Sequence, residues 1–105
     1  MRIISALELN DAMQKGQEFE IVDVREPYEY DACNIGSLHI PMGEICNRIA
    51  DLPKNKNIVI MCRSGKRAEA VANILMTDYS ISNVYILDGG ILAWKDQIDS
   101  TLDIE

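Results

Sequence analysis

Short apolar runs alternate with stretches of helical spacing along this chain, the pattern of a parallel α/β sheet whose strands are linked by helices. "RIIS" (2–5) reads as a first strand. Ser5 and Glu8 then stand at capping-box spacing before "LELNDAMQK", with Gly16 placed to stop the helix. "FEIVDV" (19–24), "LHIP" (38–41), "NIVIM" (57–61) and "VYIL" (84–87) read as further strands, five in all. Between them, "GEICNRIADL" (43–52) puts Ile45, Ile49 and Leu52 at helical spacing ahead of Pro53. "RAEAVANILMTD" (67–78) puts Ala68, Val71, Ala72, Leu75 and Met76 on one helical face.

The chain has 105 residues, 48% of them hydrophobic, enough to close one core, so 1–105 is expected to be a single domain. Met1 leads directly into "RIISALEL" with no basic segment or cleavage site, and no apolar run nears the ~20 residues that span a bilayer. A cytoplasmic protein is the expectation. Seventeen acidic against ten basic residues give a net charge of −7, which argues against nucleic acid or an anionic membrane as partner.

Against that acidic background, three of the ten basic residues fall within five positions: Arg63, Lys66 and Arg67, immediately behind Cys62. The three cysteines (Cys33, Cys46, Cys62) are an odd number without zinc-site spacing, so at least one free thiol is expected. Cys62 closes a predicted central strand at its carboxyl end, where open α/β sheets present their ligand sites, and its loop runs into a helix N-terminus. Backbone N–H groups of Arg63, Ser64, Gly65, Lys66 and Arg67 can turn inward as an anion cradle, with Gly65 free to adopt a conformation closed to bulkier residues. Cations and a helix end favour a thiolate at neutral pH. A buried, inert cysteine is the blander alternative, but three neighbouring cations would then serve no purpose. His39, the only histidine, lies on a different predicted strand and is expected to be structural rather than a base for Cys62.

"CRSGKR", with "DVREPYEY" upstream and "LDGGILAW" downstream, resembles a single-domain rhodanese over roughly residues 3 to 97. The resemblance implies a three-layer α/β/α sandwich around a five-stranded parallel sheet, and a loop cysteine that carries sulfane sulfur as a persulfide. Cys62 would be the nucleophile and Arg63, Ser64, Gly65, Lys66 and Arg67 the cradle. Asp23, Arg25 and Glu29 match a supporting frame below the site, in which an Arg25–Glu29 ion pair would pin the turn after the second strand. Gly89 and Gly90 match a double-glycine turn, and Trp94 a packed aromatic on a closing helix. One segment departs from the family: "CNIGSLHIP" stands where "GHIxGAxxIP" is usual, one residue shorter and with Cys33 and Asn34 leading it. Cys33 is then either a second thiol able to resolve Cys62 or a residue filling a gap, while Cys46 is expected in the core.

The implied reaction is double displacement. The Cys62 thiolate takes the sulfane sulfur of a small anionic donor such as thiosulfate, and a thiol or protein acceptor removes it, with no metal or other cofactor required. Two other classes compete. A phosphatase or arsenate reductase holds its tetrahedral anion in a C-x5-R loop, whereas Cys62 to Arg67 is C-x4-R, one residue tighter. A non-catalytic interaction module would have no need of Cys62 and its cations.

Overall fold

The computed structural model describes residues 2–104. The five strands are β1 (Arg2–Ile4), β2 (Phe19–Asp23), β3 (Leu38–His39), β4 (Asn57–Met61) and β5 (Val84–Leu87). All pair in parallel in the order β1-β5-β4-β2-β3, so β4 is central. Helices α1 (Ala6–Gln14), α2 (Pro27–Ala32), α3 (Lys66–Asp78) and α4 (Gly90–Gln97) connect or follow them. Among the described residues no helix is long and apolar enough to cross a membrane.

Period-two alternation on β4 divides the core. Ile58, Ile60 and Cys62 face one side, where Ala68, Val71, Ala72 and Leu75 of α3 cover them; Val59 and Met61 face the other, against Leu9 of α1 and Ile91 of α4. Three layers result, as the resemblance implied. Cys62 lies on the α3 side because it continues the strand's alternation by one step. Local chemistry sets the helix starts: Ser5 Oγ accepts from Glu8 N–H and Glu8 Oε1 accepts from Ser5 N–H, both at 3.1 Å, a complete capping box. α2, which hydrophobic spacing did not predict, begins with Pro27 at its first turn and a Glu26/Glu29 capping box, and it buries no residue.

Two expectations are corrected. Residues 43–52 do not form one α-helix: two 3₁₀ segments, Met42–Asn47 and Ile49–Asp51, are broken at Arg48. Bonds such as Glu44 N–H to Pro41 O (2.8 Å) and Leu52 N–H to Ile49 O (3.2 Å) span three residues rather than four. Gly43 and Asn47 favour the α-helix poorly, and tight turns seat Ile45 and Leu52 in the core without one. Cys46, beside Ile45, is consequently turned outward and is exposed, not a core residue.

Gly90 starts α4 at a φ of 62°, hard against the β4–α3 loop. Ile91 N–H donates to Cys62 O (2.8 Å) and Leu92 N–H to Arg63 O (3.2 Å), so the first free donors of α4 are used on the cysteine loop. A Cβ on Gly90 would land inside those two carbonyl oxygens, which are backbone and have nowhere to go. Gly90→Ala should therefore lower unfolding free energy by at least ~2 kcal/mol, from clash and positive φ together. Gly43→Ala, where a Cβ meets nothing within 4 Å, should change it by less than about 1 kcal/mol. Urea denaturation of both variants checks this, and equal effects would show that the close approach is not a constraint.

Candidate active site

Cys62 is fully buried, and its Sγ accepts two backbone hydrogen bonds, from Gly65 N–H at 3.0 Å and Ala68 N–H at 3.4 Å. Gly65 caps α3 in the left-handed region (φ 116°), which turns its N–H back onto the sulfur. Ala68 is the third residue of α3, and its N–H is one of the donors a helix start leaves unpaired. The sequence pattern points to cradle donors at 63–67 and to Ala68 as a core contact, whereas Ala68 N–H is a second donor to the sulfur. The signal was present, since a helix starting at 66 leaves the 68 N–H without a partner of its own. Two helix ends thus converge on one residue, α3 at the sulfur of Cys62 and α4 at its carbonyl.

The cations divide differently from expectation. Arg67 turns toward α2 and grips Glu29 with both nitrogens, Nη1 to Oε1 at 2.6 Å and Nη2 to Oε2 at 3.0 Å. That pairing holds the Glu29 carboxyl down to about 2, helped against the opposing effect of partial burial by the Glu26 N–H. It pushes Arg67 further toward its charged form, to which Cys62 and Tyr28 add smaller attractions. Lys66 and Arg63 are exposed at the loop's rim.

The expected Arg25–Glu29 ion pair does not form. Arg25 is instead buried against Asp23, with Nε 3.0 Å from both carboxylate oxygens and Nη2 2.8 Å from Oδ2. Its remaining reach goes to backbone: Nη2 donates to Cys33 O (2.7 Å) and Nη1 to Glu29 O (3.4 Å). Asp23 lies opposite Met61 in the β2–β4 register, so the pair sits one residue below the cysteine and ties down the 33 loop. The buried charges are compensated on both sides, and removing one partner would strand the other.

His39 is not brought to Cys62, because β2 stands between their strands. Its Nε2 lies 2.9 Å from Arg25 O, and its ring stacks on Tyr30 with centroids 4.2 Å apart, so it holds the same turn. Cys33 is half-buried and free. It lines a cavity of about 230 Å³ together with Arg25, Tyr28, Glu29, Arg63 and the tail residues Asp103 and Ile104. Trp94 packs on the α1/α4 side of the core as expected.

A cysteine under helix-end donors at the carboxyl edge of a five-stranded parallel sheet is the arrangement of a rhodanese-like domain, and the family model for that domain matches residues 5–97. The chain belongs to the rhodanese-like family. It is 34% identical to a sulfurtransferase of Allochromatium vinosum over 93 residues, which cover 87% of this chain and 85% of that one. It is 32% identical over 99 residues to the Mycobacterium tuberculosis "Probable adenylyltransferase/sulfurtransferase MoeZ", covering 90% of this chain and about a quarter (25%) of that longer protein. A rhodanese-related protein of Thermoplasma volcanium superposes with a TM-score of 0.83 at 26% identity over the full length of both chains.

The Glu29–Arg67 pair makes a pH prediction. Glu29 ionises at a lower pH when folded than when unfolded, so the pair's stabilisation is fully present above about pH 4.5 and is lost as pH falls toward about 2. Glu29→Gln should therefore be less stable than the parent at pH 6, with the gap closing in acid. Parallel urea titrations from pH 6 to 2.5 measure it, and a pH-independent gap would mean the carboxylate's charge is not what holds Arg67.

Proposed function

We propose that this chain is a sulfurtransferase that carries sulfane sulfur as a persulfide on Cys62. The observation that bears most weight is the pair of N–H donors fixed on Sγ, because they stand ready before any charge arrives. In the first step the Cys62 thiolate attacks the outer sulfur of thiosulfate, the donor's S–S bond breaks, and sulfite leaves with the electron pair. In the second, an acceptor thiolate attacks the outer sulfur of the persulfide and Cys62 leaves as thiolate. Each step exchanges one S–S bond for another at a single sulfur, and charge and electrons balance throughout.

Arg63 and Lys66, at the exposed rim, draw in the dianionic donor, while Arg67 holds the far end of the loop through Glu29. Asp23 and Arg25 support the site by fixing the neighbouring turn. This allocation counts against the phosphatase alternative, whose loop arginine must be free to grip a phosphoryl group. The acceptor is a small thiol or a protein thiol. Three free cysteines suit a reducing compartment such as the cytoplasm.

Intact-mass measurement after thiosulfate treatment tests the proposal: a gain of about 32 Da, one sulfur, that dithiothreitol removes. Cys33→Ser and Cys46→Ser should load like the parent and Cys62→Ser should not. Absence of loading, or turnover of an aryl phosphate instead, would reject the sulfurtransferase reading. Lys66→Ala should slow loading several-fold at low salt, with the deficit shrinking toward 1 M salt as the Debye length falls to about 3 Å. A salt-independent deficit would mean that Lys66 acts through loop structure rather than charge.

A further inference from the structure

The end of the sheet opposite the cysteine loop carries a groove that sulfur transfer does not use. Cys62 follows the carboxyl end of β4, and Ile58, near the other end of that strand, lies about 13 Å away at ~3.3 Å per residue. There Leu52 and Ile58 of the core, with the partly buried Ile49 and Ile81, line an apolar space of about 310 Å³, at the lower end of small-ligand cavities. Backbone fixes its walls. Ile58 N–H donates to Asn83 O (2.8 Å), Ile81 N–H to Leu75 O (3.0 Å) and Asn83 Nδ2 to Lys56 O, while Ser80 makes the turn after α3 at a φ of 54°. A space walled this way stands formed before any occupant arrives.

Charge at the groove is one-sided. Lys54 is the only charged residue lining it, and it stands at the exposed rim. A polar cleft adjoins the groove, sharing Lys54, Ser82 and Asn83 with it and adding Lys56 and Glu18. Over both spaces two ammonium groups meet one carboxylate, in a chain whose net charge is −7. Among the described residues none of these three enters an ion pair. The acidic residues flanking the groove along the chain are engaged elsewhere, Asp51 by Arg48 Nε (2.9 Å) and Asp78 by Thr77 Oγ1 (3.1 Å). Glu18 lines only the outer cleft, so the groove itself offers a cation nothing to bind.

We propose that this groove is a binding site for a small monocarboxylate with an apolar body, the body lying on Ile49, Leu52, Ile58 and Ile81 and the carboxylate on Lys54 Nζ. An apolar lining with one ammonium at its rim matches one apolar body with one anionic head. Ser82, at the junction of the two spaces, brings a hydroxyl to the same head group. The site shares no residue with the cysteine loop, so it stands whether or not Cys62 carries a persulfide.

Hexanoate is the probe, with acetate, hexan-1-ol and hexylammonium as controls, titrated at constant ionic strength into the full isotope-labelled chain while backbone amide resonances are followed. Hexanoate should move the amides of residues 49–58 and 80–83 along a saturating curve with a Kd at or below about 20 mM. Acetate and hexylammonium should not. Lys54→Met, which keeps the side chain's length and removes its charge, should weaken hexanoate about fivefold, the scale of a solvent-facing ion pair, and leave hexan-1-ol within about twofold. Ile81→Ala should weaken both ligands, and the amide spectrum of each variant shows that it has folded. Hexanoate shifts centred on residues 62–67, a curve that does not saturate, or unchanged hexanoate binding in Lys54→Met overturns the proposal. Movement of the groove amides on diluting the protein, without a response to hexanoate, would assign the groove to a second copy of the chain and also overturn it.

Discussion

The contact between Gly90 and the carbonyls of Cys62 and Arg63 is the constraint on which the site depends. A loop with a buried sulfur at its base must satisfy its own backbone acceptors somewhere, and here the N-terminus of α4 does so through Ile91 and Leu92. With the carbonyls held on one side, the N–H groups of Gly65 and Ala68 point to the other, onto Sγ. The peptide units of the loop are in effect clamped between two helix starts. Any side chain at position 90 would push the helix away and release the loop.

Two ion pairs then attach this clamp to the β2 side of the molecule. Asp23–Arg25 is internal to its own turn and reaches the carbonyl of Cys33, and Glu29–Arg67 crosses 38 residues of sequence to join α2 to α3. A short helix with no buried residue has little hydrophobic reason to stay where it is, so polar and ring contacts position α2: the bidentate grip of Arg67 on Glu29, the Arg25 bond to Glu29 O and the stack of Tyr30 on His39. The exchange of partners relative to the expected Arg25–Glu29 pair is physically sensible. The guanidinium of Arg25 is taken up by Asp23 and by the carbonyls of Cys33 and Glu29, and Asp23, also buried, would be uncompensated without it.

Where a single strand or helix carries its own signal, the sequence was legible. β4 and β5 fall on the residues the apolar runs mark, α1 has the capping box that Ser5 and Glu8 spell, and α3 buries Ala68, Val71, Ala72 and Leu75. The stretch 43–52 misled because spacing of Ile45, Ile49 and Leu52 is compatible with broken 3₁₀ turns as well as with an α-helix. α2 was missed because it has no apolar face, only a proline and a reciprocal pair of glutamates at its start. Within the site, the cysteine, Gly65 and the strand-end position were readable, being local. Which cation meets which carboxylate was not, since Arg67 and Glu29 meet only once the sheet order is set. The seating of Leu102 and Ile104 on the core likewise depends on the path of the tail after α4, which no periodicity describes.

The strand order also governs when this site can exist. β1 lies at an edge and pairs only with β5, so Arg2 waits for Tyr85, 83 positions later, before its strand has a neighbour. The cysteine loop waits for α4, which follows β5. Contacts so distant along the chain must be made after long loops have closed, which slows folding relative to helical bundles of the same size. During synthesis, the elements from β1 to α3 emerge before β5 and α4, with their apolar faces only half covered, and Cys62 emerges with them in an unclamped loop. The thiol is therefore at its most accessible to oxidants in the nascent chain, and becomes sheltered only when the last quarter of the sequence has arrived.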